Sequence, residues 1–334
     1  MNHKIKNQDL SKSLVVLVTG VGSIIGQGIV QGLKKISRNI HIIGIDRNEY
    51  TFANVICDEF LKKPLFDSHD SNLLIYWKQI LREKKIDLVI PGIEQDVIYL
   101  NKNRKEFKLV NTKLVLNCSK LINLSTDKWN TYQNLIDTDI DLIPTEIDGS
   151  WQKISRRLGK LPYLIKPRNG YGSKGIHLVD NESDYEYWRR KLGSQFMVQK
   201  YLNDSANEYT IGSFGFGDGN SMEPLVLKRK LFNSGITQWA EVCKNDQLNE
   251  FACKLNQKFK PIGPTNYQFL EHSGKYYLLE INPRISSSTS IRAKFGYNEP
   301  EMCINFFYDK LTLEEKPIFS GKAMRFIEDY VVFE

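Results

Sequence analysis

YLIKPRNGYGSKGIHLV, residues 163–179, reads as an apolar strand delivering Lys166, a loop with Gly170, Gly172 and Gly175 around Ser173 and Lys174, and a second strand. A lysine on a rigid strand supplies a point charge. Glycines beside it let backbone amides approach closely and wrap the oxygens of an anion. Nucleotide phosphates need both. The segment is not a Walker A loop, because no helix follows it and the GxxxxGK[ST] order is absent. Taken by itself it is also readable as a plain hairpin with a glycine turn.

Two further stretches narrow the choice. In FLEHSGKYYLLEINPRISSST (269–289), Glu280 and Asn282 stand two apart on a strand and share a face. Gln268, across the Ser-Gly hairpin turn, reaches the same face. Oxygen ligands grouped in this way suit Mg²⁺, which keeps several waters and bridges to phosphates. Arg284 follows at once, placed to neutralise a transferring phosphoryl group; a structural ion pair is the alternative, but an acid ending an apolar strand and followed by Asn, Pro and Arg is hard to explain by packing alone. In FMVQKYLNDSANEYTIGSF (196–214), the backbone of Gln199, Lys200, Tyr201 and Leu202 is placed to pair with an adenine edge, and Glu208 to accept from ribose hydroxyls. An edge strand with a solvated glutamate is the alternative.

On the amino-terminal side, SLVVLVTG (13–20), IHIIGID (40–46), IDLVIPG (86–92) and TKLVLN (112–117) read as buried strands. They alternate with the amphipathic stretches 24–35 and 72–85, which implies a parallel sheet. TGVGSIIGQG (19–28) places Gly20, Gly22 and Gly26 between strand and helix, with Asp46 ending the second strand. That is where a dinucleotide fold holds pyrophosphate and ribose, but the spacing is GxGxxxG, not GxGxxG. Tyr187 and Lys191 form a Tyr-x-x-x-Lys pair inside a charged surface-helix stretch, DYEYWRRK. In the connecting region STDKWNTYQNLIDTDIDLIPTE (125–146), Ser125 or Thr126 is expected to cap a helix and Pro144 to mark its exit. Beyond 160 short β-like runs dominate, joined by hairpin signals, with one amphipathic helix at 245–259.

Composition sets the outer bounds. The chain has 334 residues, 41% hydrophobic and 25% charged, so disordered and fibrous classes are excluded. Its 46 Lys and Arg against 39 Asp and Glu give +7, a mild excess that suits an anionic small molecule. No long basic block or aromatic–basic pattern points to nucleic acid. Five scattered cysteines without CxxC argue against a disulfide framework or zinc site. The polar start and the lack of an apolar run of about 18 residues point to no membrane role and a cytoplasmic location.

The segments around Lys166, Gln199–Glu208 and Gln268–Arg284, in this order, resemble the ATP-grasp superfamily, most closely its carbamoyl-phosphate-synthase-like and carboxylate–amine ligase members. The resemblance implies a Rossmann-like α/β pre-ATP-grasp domain (1–118) and a two-subdomain α+β ATP-grasp fold with mainly antiparallel sheets. The lid subdomain is expected over 119–195 and the metal-bearing subdomain over 196–334. The family's phosphate-contacting basic residue on the helix after the first domain falls on Lys128. Its strand lysine falls on Lys166, its mobile loop on Gly170–Gly175, its hinge on Gln199–Leu202 and its ribose acid on Glu208. Its ExNxR motif falls on Glu280, Asn282 and Arg284, with the earlier partner on Gln268. Many members carry an acid there; glutamine occurs in the carbamoyl-phosphate-synthase branch and is the weaker ligand.

Members of this family activate a carboxylate with ATP and Mg²⁺ (or Mn²⁺) and pass it through an acylphosphate to an amine. The implied partners are therefore a small carboxylate, such as an amino acid or sugar acid, and an amine; a homodimer is compatible with the family. Arg284 and Lys166 are the expected catalytic groups. Substrate candidates are Arg229 within Lys228–Lys230, Ser286 and Arg292 after the metal motif, and Glu94 after a first-domain strand. Each is also readable as a surface polar residue. Two other readings stand beside this one: a nicotinamide oxidoreductase using Gly20–Gly26 and Asp46, and a degenerate nucleotide-binding regulator.

Overall fold

Three apolar runs of the first third form the centre of a parallel sheet. They are β1 (Leu14–Thr19), β2 (Ile40–Asp46) and, after β3 (Glu59–Lys62), β4 (Leu88–Pro91). β5 (Lys113–Leu114) is shorter than its apolar run, and the sheet order is β3-β2-β1-β4-β5. β3 was not visible in the sequence because it is a half-buried edge strand of only four residues. The coordinates come from a computed structural model that describes residues 13–108, 110–147, 149–170, 175–202, 207–232 and 234–331.

The glycines after β1 serve packing. Gly20 has φ +62, and a Cβ there would lie 2.3 Å from the Ile93 side chain. A Cβ on Gly26 would meet the Gly20 carbonyl oxygen at 2.3 Å, and one on Gly92 would come within 3.0 Å of Gly26 Cα. Asp46 accepts from the Gly22 amide at 2.9 Å and from the Asn48 amide at 3.0 Å. Packing within the chain is thus enough to account for these glycines and for the Asp46 carboxylate, and the nicotinamide reading is not favoured.

The remaining strands form two antiparallel sheets. β6 (Thr145–Glu146), β7 (Tyr163–Pro167), β8 (His177–Val179) and β9 (Phe196–Lys200) pair in the order β6-β9-β7-β8. Helices Trp151–Leu158 and Glu182–Leu192 cover one face of this sheet, burying Ile154, Leu158, Tyr163, Ile165, Tyr185, Phe196 and Val198. β10 (Glu208–Phe216), β11 (Leu225–Leu231), β12 (Thr237–Val242), β13 (Ile262–His272), β14 (Lys275–Asn282) and β15 (Lys322–Met324) form a larger sheet in the order β14-β13-β10-β11-β12-β15. The β13–β14 turn places Ser273 at φ 51 and Gly274 at φ 76, the positive angles a type I′ hairpin demands. Helix Asp246–Phe259, capped by Asn245, packs Leu248, Phe251 and Leu255 against Tyr209, Ile211, Tyr267 and Phe269.

Two differences from expectation concern the connections. The helix at Lys128–Leu135 is capped by Asp127, which accepts from the Trp129 and Asn130 amides. Ser125 and Thr126 instead finish the preceding helix, Ser119–Ser125, bonding back to the Ile122 and Asn123 carbonyls. Contacts also divide the chain into two units. The first runs through Leu116 and takes in Ser288–Lys294 and Asn298–Leu313, which the sequence reading assigned to the carboxy-terminal subdomain; the second holds the two antiparallel sheets. In the first unit a Cβ on Gly28 would lie 2.8 Å from Thr289, and one on Gly32 2.8 Å from Asn298 and Pro300. These two glycines, one helical turn apart, form the bare stripe on which the returning segment rests.

Candidate functional site

Period two decides which side chains face the cleft. On β7, Tyr163 and Ile165 point into the helix-covered core, so Lys166 points the other way. On β9, Phe196 and Val198 point to that core, and Met197 and Gln199 share the face of Lys166. Across the cleft, β13 and β14 bring Gln268 opposite Glu280 and Asn266 opposite Asn282. Helix Lys128–Leu135 supplies Lys128, Thr131 and Tyr132. Together these elements line a cleft of about 460 Å³ including its open mouth, apolar on the side of Ile143, Met197, Leu278 and Ile281. Leu202 packs with Ile143 and Leu270 where the chain leaves the small sheet.

The polar groups form one chain of contacts. Arg284 Nη2 donates to Asn282 Oδ1 at 3.1 Å, and Asn282 Nδ2 donates to Glu280 Oε2 at 3.1 Å. Glu280 Oε1 lies 4.0 Å from Lys128 Nζ, which also donates to the Gly170 carbonyl at 2.6 Å. Lys166 is buried and donates to Gln199 Oε1 at 2.8 Å. Burial pushes its pKa down to about 8, Lys128 adding to the fall and Glu280 opposing it. Asp127 and Arg168 pair side chain to side chain, and the Lys128 amide donates to the Arg168 carbonyl at 3.0 Å. This latch fixes Lys128 against the strand lysine. The sequence reading missed Arg168, although it lies inside the quoted stretch directly after Pro167.

The structure tests the fit of the expected ligands. Among the described residues no group of three or more His, Cys, Asp and Glu is arranged to hold a metal ion. Glu280 is the one carboxylate of its trio, and Gln268 and Asn282 contribute neutral amide oxygens. Such a set fits a hard cation that takes its remaining oxygens from phosphates and water, not one caged by protein alone. A buried ammonium held by an amide, with a second lysine nearby, fits the phosphates.

Other expected residues fall as follows. The Lys200 and Tyr201 amides donate to the Pro144 and Pro162 carbonyls, so these two are committed within the chain. Glu208 is buried and engaged by Arg229, with Nε 3.2 Å from its carboxylate, so both have a charged partner that the sequence did not show. Arg229 faces inward while Lys228 turns to the ring of Tyr209 on the opposite face. Ser286 is buried. Gly175 has φ +74 and Gly170 φ +137. Gly172, Ser173 and Lys174 lie outside the described residues. Glu94 opens helix Glu94–Lys102 in the first unit. Arg292 is also in the first unit, fully buried and paired with Glu299 at 3.1 Å. An arginine so enclosed holds its own segment together; the expectation of a carboxylate clamp there is corrected. On the helix surface Lys191 donates to Tyr187 Oη at 3.4 Å and lies over the Tyr187 and Trp188 rings.

Comparison with known proteins agrees with this geometry. Residues 193–329 match a family model described as ATP-grasp in the biosynthetic pathway with Ter operon, and residues 16–115 match one described as PylC-like, N-terminal domain. The carboxy-terminal two fifths of the chain is thus similar to ATP-grasp proteins. It is 26% identical over 315 residues to the carbamoyl phosphate synthase large chain of Clostridium perfringens, covering 85% of this chain and 28% of that one. The chain thus spans little more than a quarter of the curated relatives it matches. The N5-carboxyaminoimidazole synthetase of Staphylococcus aureus complexed with ADP superposes with a TM-score of 0.70 at 17% identity, over 94% of this chain and 81% of that one. The biotin carboxylase of Campylobacter jejuni superposes with a TM-score of 0.72 at 15% identity, over 92% and 73%. At these identities the structures speak for the shared fold. Among the described residues, no helix is long and apolar enough to cross a membrane.

Proposed function

We propose that this chain is an ATP- and Mg²⁺-dependent ligase that activates a small carboxylate as an acylphosphate and joins it to an amine. The observation that carries the reading is the convergence of Lys128, Lys166 and Glu280 on one cleft with an apolar inner wall, with Asn282 and Arg284 joined to Glu280 through hydrogen bonds.

In this reading the base lies against Ile143, Met197 and Leu278, near Leu202, and Glu208 is the nearest acid for the ribose. Lys166 and Lys128 hold phosphate oxygens, with Gly170 beside Lys128. Glu280, Asn282 and Gln268 would hold Mg²⁺. When bound, the ion neutralises charge on the phosphates. Arg284 stabilises the phosphoryl group as it passes to the carboxylate oxygen. The amine then attacks the acyl carbon and phosphate leaves. No protein nucleophile is required.

The experiment is ADP release from the full chain with Mg-ATP across panels of amino acids and sugar acids paired with amines. Release that depends on both acid and amine, and is lost in Lys166→Ala, supports the reading. Mg-ATP binding without turnover in any pairing favours the regulator instead.

A further inference from the structure

β15 ends the larger sheet, with β12 on its inner side. The register sets Lys322, Ala323 and Met324 opposite Glu241, Ala240 and Trp239. The Val242 amide donates to the Gly321 carbonyl at 3.0 Å, and the Arg325 amide donates to the Gln238 carbonyl at 2.8 Å. Odd-numbered residues therefore bond inward to β12, and the main-chain groups of Lys322 and Met324 point to the outer edge. Among the described residues no strand takes up that edge. Burial alternates with the same period. Ala323 and Arg325 are half-buried, while Lys322, Met324 and Phe326 are exposed, Met324 at 75% and Phe326 at 80%. Half-buried Trp239, beside Met324 in the register, carries the apolar patch onto β12. Lys322 lies 3.6 Å from Glu241 but keeps most of its side chain in solvent, so its ammonium has donors left for a second carboxylate.

In chain order the exposed row is Lys322, Met324, Phe326 and, extended by the same alternation, Glu328. Reversed, that row sets Glu against Lys and Phe against Met. It is its own complement in antiparallel pairing, a symmetry that only a second copy of the chain requires. We infer that this edge is an interface with a second copy, in which β15 pairs with its mate about a two-fold axis at Arg325 and the sheet runs on from one chain into the other. Lys322 pairs with Glu328, and Met324 with Phe326, each pair formed twice. Opposite charges, and a thioether against an aromatic ring, are favourable cross-strand neighbours. Sliding the register by two residues would set Lys322 against Phe326 or Tyr330 instead. Arg325 turns to the other face, where Nη1 donates to the Thr237 carbonyl at 3.3 Å and Nη2 donates to the Ser287 carbonyl. Both guanidinium groups are thus drawn back from the axis toward their own chains. The pairing also covers an exposed apolar edge, which otherwise invites unregulated association. This interface goes beyond the chemistry of the cleft and does not depend on it.

The test is sedimentation equilibrium of the full chain over a wide range of concentration. The mass should rise from one chain to two and stop there, because isologous pairing closes. Phe326→Asp should leave a single chain with unchanged circular dichroism. Lys322→Glu and Glu328→Lys should each weaken association by about tenfold or more, since both copies of the charge pair turn repulsive. Mixed together, these two variants should associate as the wild type does, because each supplies the charge that the other lacks. A wild type that stays a single chain at every concentration overturns the inference, as does a dimer that survives Phe326→Asp. Assembly beyond two chains overturns it as well. If the mixture of Lys322→Glu and Glu328→Lys associates no better than either variant alone, the antiparallel pairing is overturned.

Discussion

Lys166 Nζ donates to Gln199 Oε1 at 2.8 Å, while Gln199 Nε2 donates to Thr145 Oγ1 at 2.9 Å. A buried ammonium is thus held by a neutral amide that is itself anchored from the far side. The amide fixes direction and supplies no counter-charge. That leaves Glu280 as the charge that offsets part of the cost of burying the ammonium.

The first prediction is a pH dependence of nucleotide binding. Burial, followed by Lys128 and offset by Glu280, lowers the Lys166 pKa from 10.5 to about 8. Between those values the unfolded chain holds a proton that the folded chain has shed, so this group's contribution to stability rises with pH across that window. Phosphates favour the charged lysine, so Mg-ATP must take up a proton to bind above pH 8. Affinity should be flat below that pH and weaken above it by up to about tenfold per pH unit. Calorimetry in buffers of different ionisation enthalpy reads the proton directly. Lys166→Met should flatten the profile, and Gln199→Glu should move the break toward the ordinary lysine range. An unchanged break in Lys166→Met would assign it to another group.

Glu280 offers a second prediction. Its side chain is 30% exposed and its contacts are to Asn282 and Lys128 at the cleft mouth. Glu280→Gln should therefore alter stability by no more than about 0.5 kcal/mol. Turnover should fall by roughly 10²- to 10³-fold, the loss typical of one electrostatic group at a reacting centre. Denaturant titration and ADP release, measured on the same preparation, separate the two. A variant that loses both equally would mark Glu280 as a structural residue.

Strand placement was readable because apolar runs in β1, β2, β4 and β7 are interrupted by few polar residues. The shared face of Glu280 and Asn282 followed from alternation alone. The cap at Asp127 was missed because Ser125 and Thr126 are equally good caps by residue type, and only the preceding helix, which uses their hydroxyls, excludes them. The Arg229–Glu208 pair joins positions twenty-one apart through antiparallel register, which no local pattern encodes. The return of Ser288–Lys294 and Asn298–Leu313 to the first unit had one sequence signal, the pairing of Gly28 with Gly32 on a helix.

That stripe gives the third prediction. An alanine in a helix interior normally stabilises by about 0.5–1 kcal/mol over glycine. At Gly32 the added methyl would stand 2.8 Å from Asn298 Oδ1 and Pro300 Cγ, and Asn298 Nδ2 already donates to the Gly32 carbonyl at 3.0 Å. Gly32→Ala should reverse the usual sign and destabilise by about 1–3 kcal/mol. Equilibrium denaturation decides it; a neutral or stabilising alanine would show that the returning segment does not rest there.

The fourth prediction concerns the Glu208–Arg229 pair. Both side chains are nearly enclosed, at 11% and 4% exposure, so neither charge is relieved by water. Removing the arginine strands a buried carboxylate, and breaking such a pair costs about 3–5 kcal/mol. Replacing both partners by uncharged residues of similar volume removes the desolvation cost with the attraction and is often close to neutral. Arg229→Met should therefore lower the denaturation midpoint sharply, and adding Glu208→Gln should restore most of it. Nucleotide affinity should stay weak in the double variant if Glu208 holds the ribose, since its charge is gone. A double variant as unstable as Arg229→Met would show that the arginine acts through packing. A double variant with full affinity for Mg-ATP would remove Glu208 from the nucleotide site and leave it as the counter-ion of Arg229.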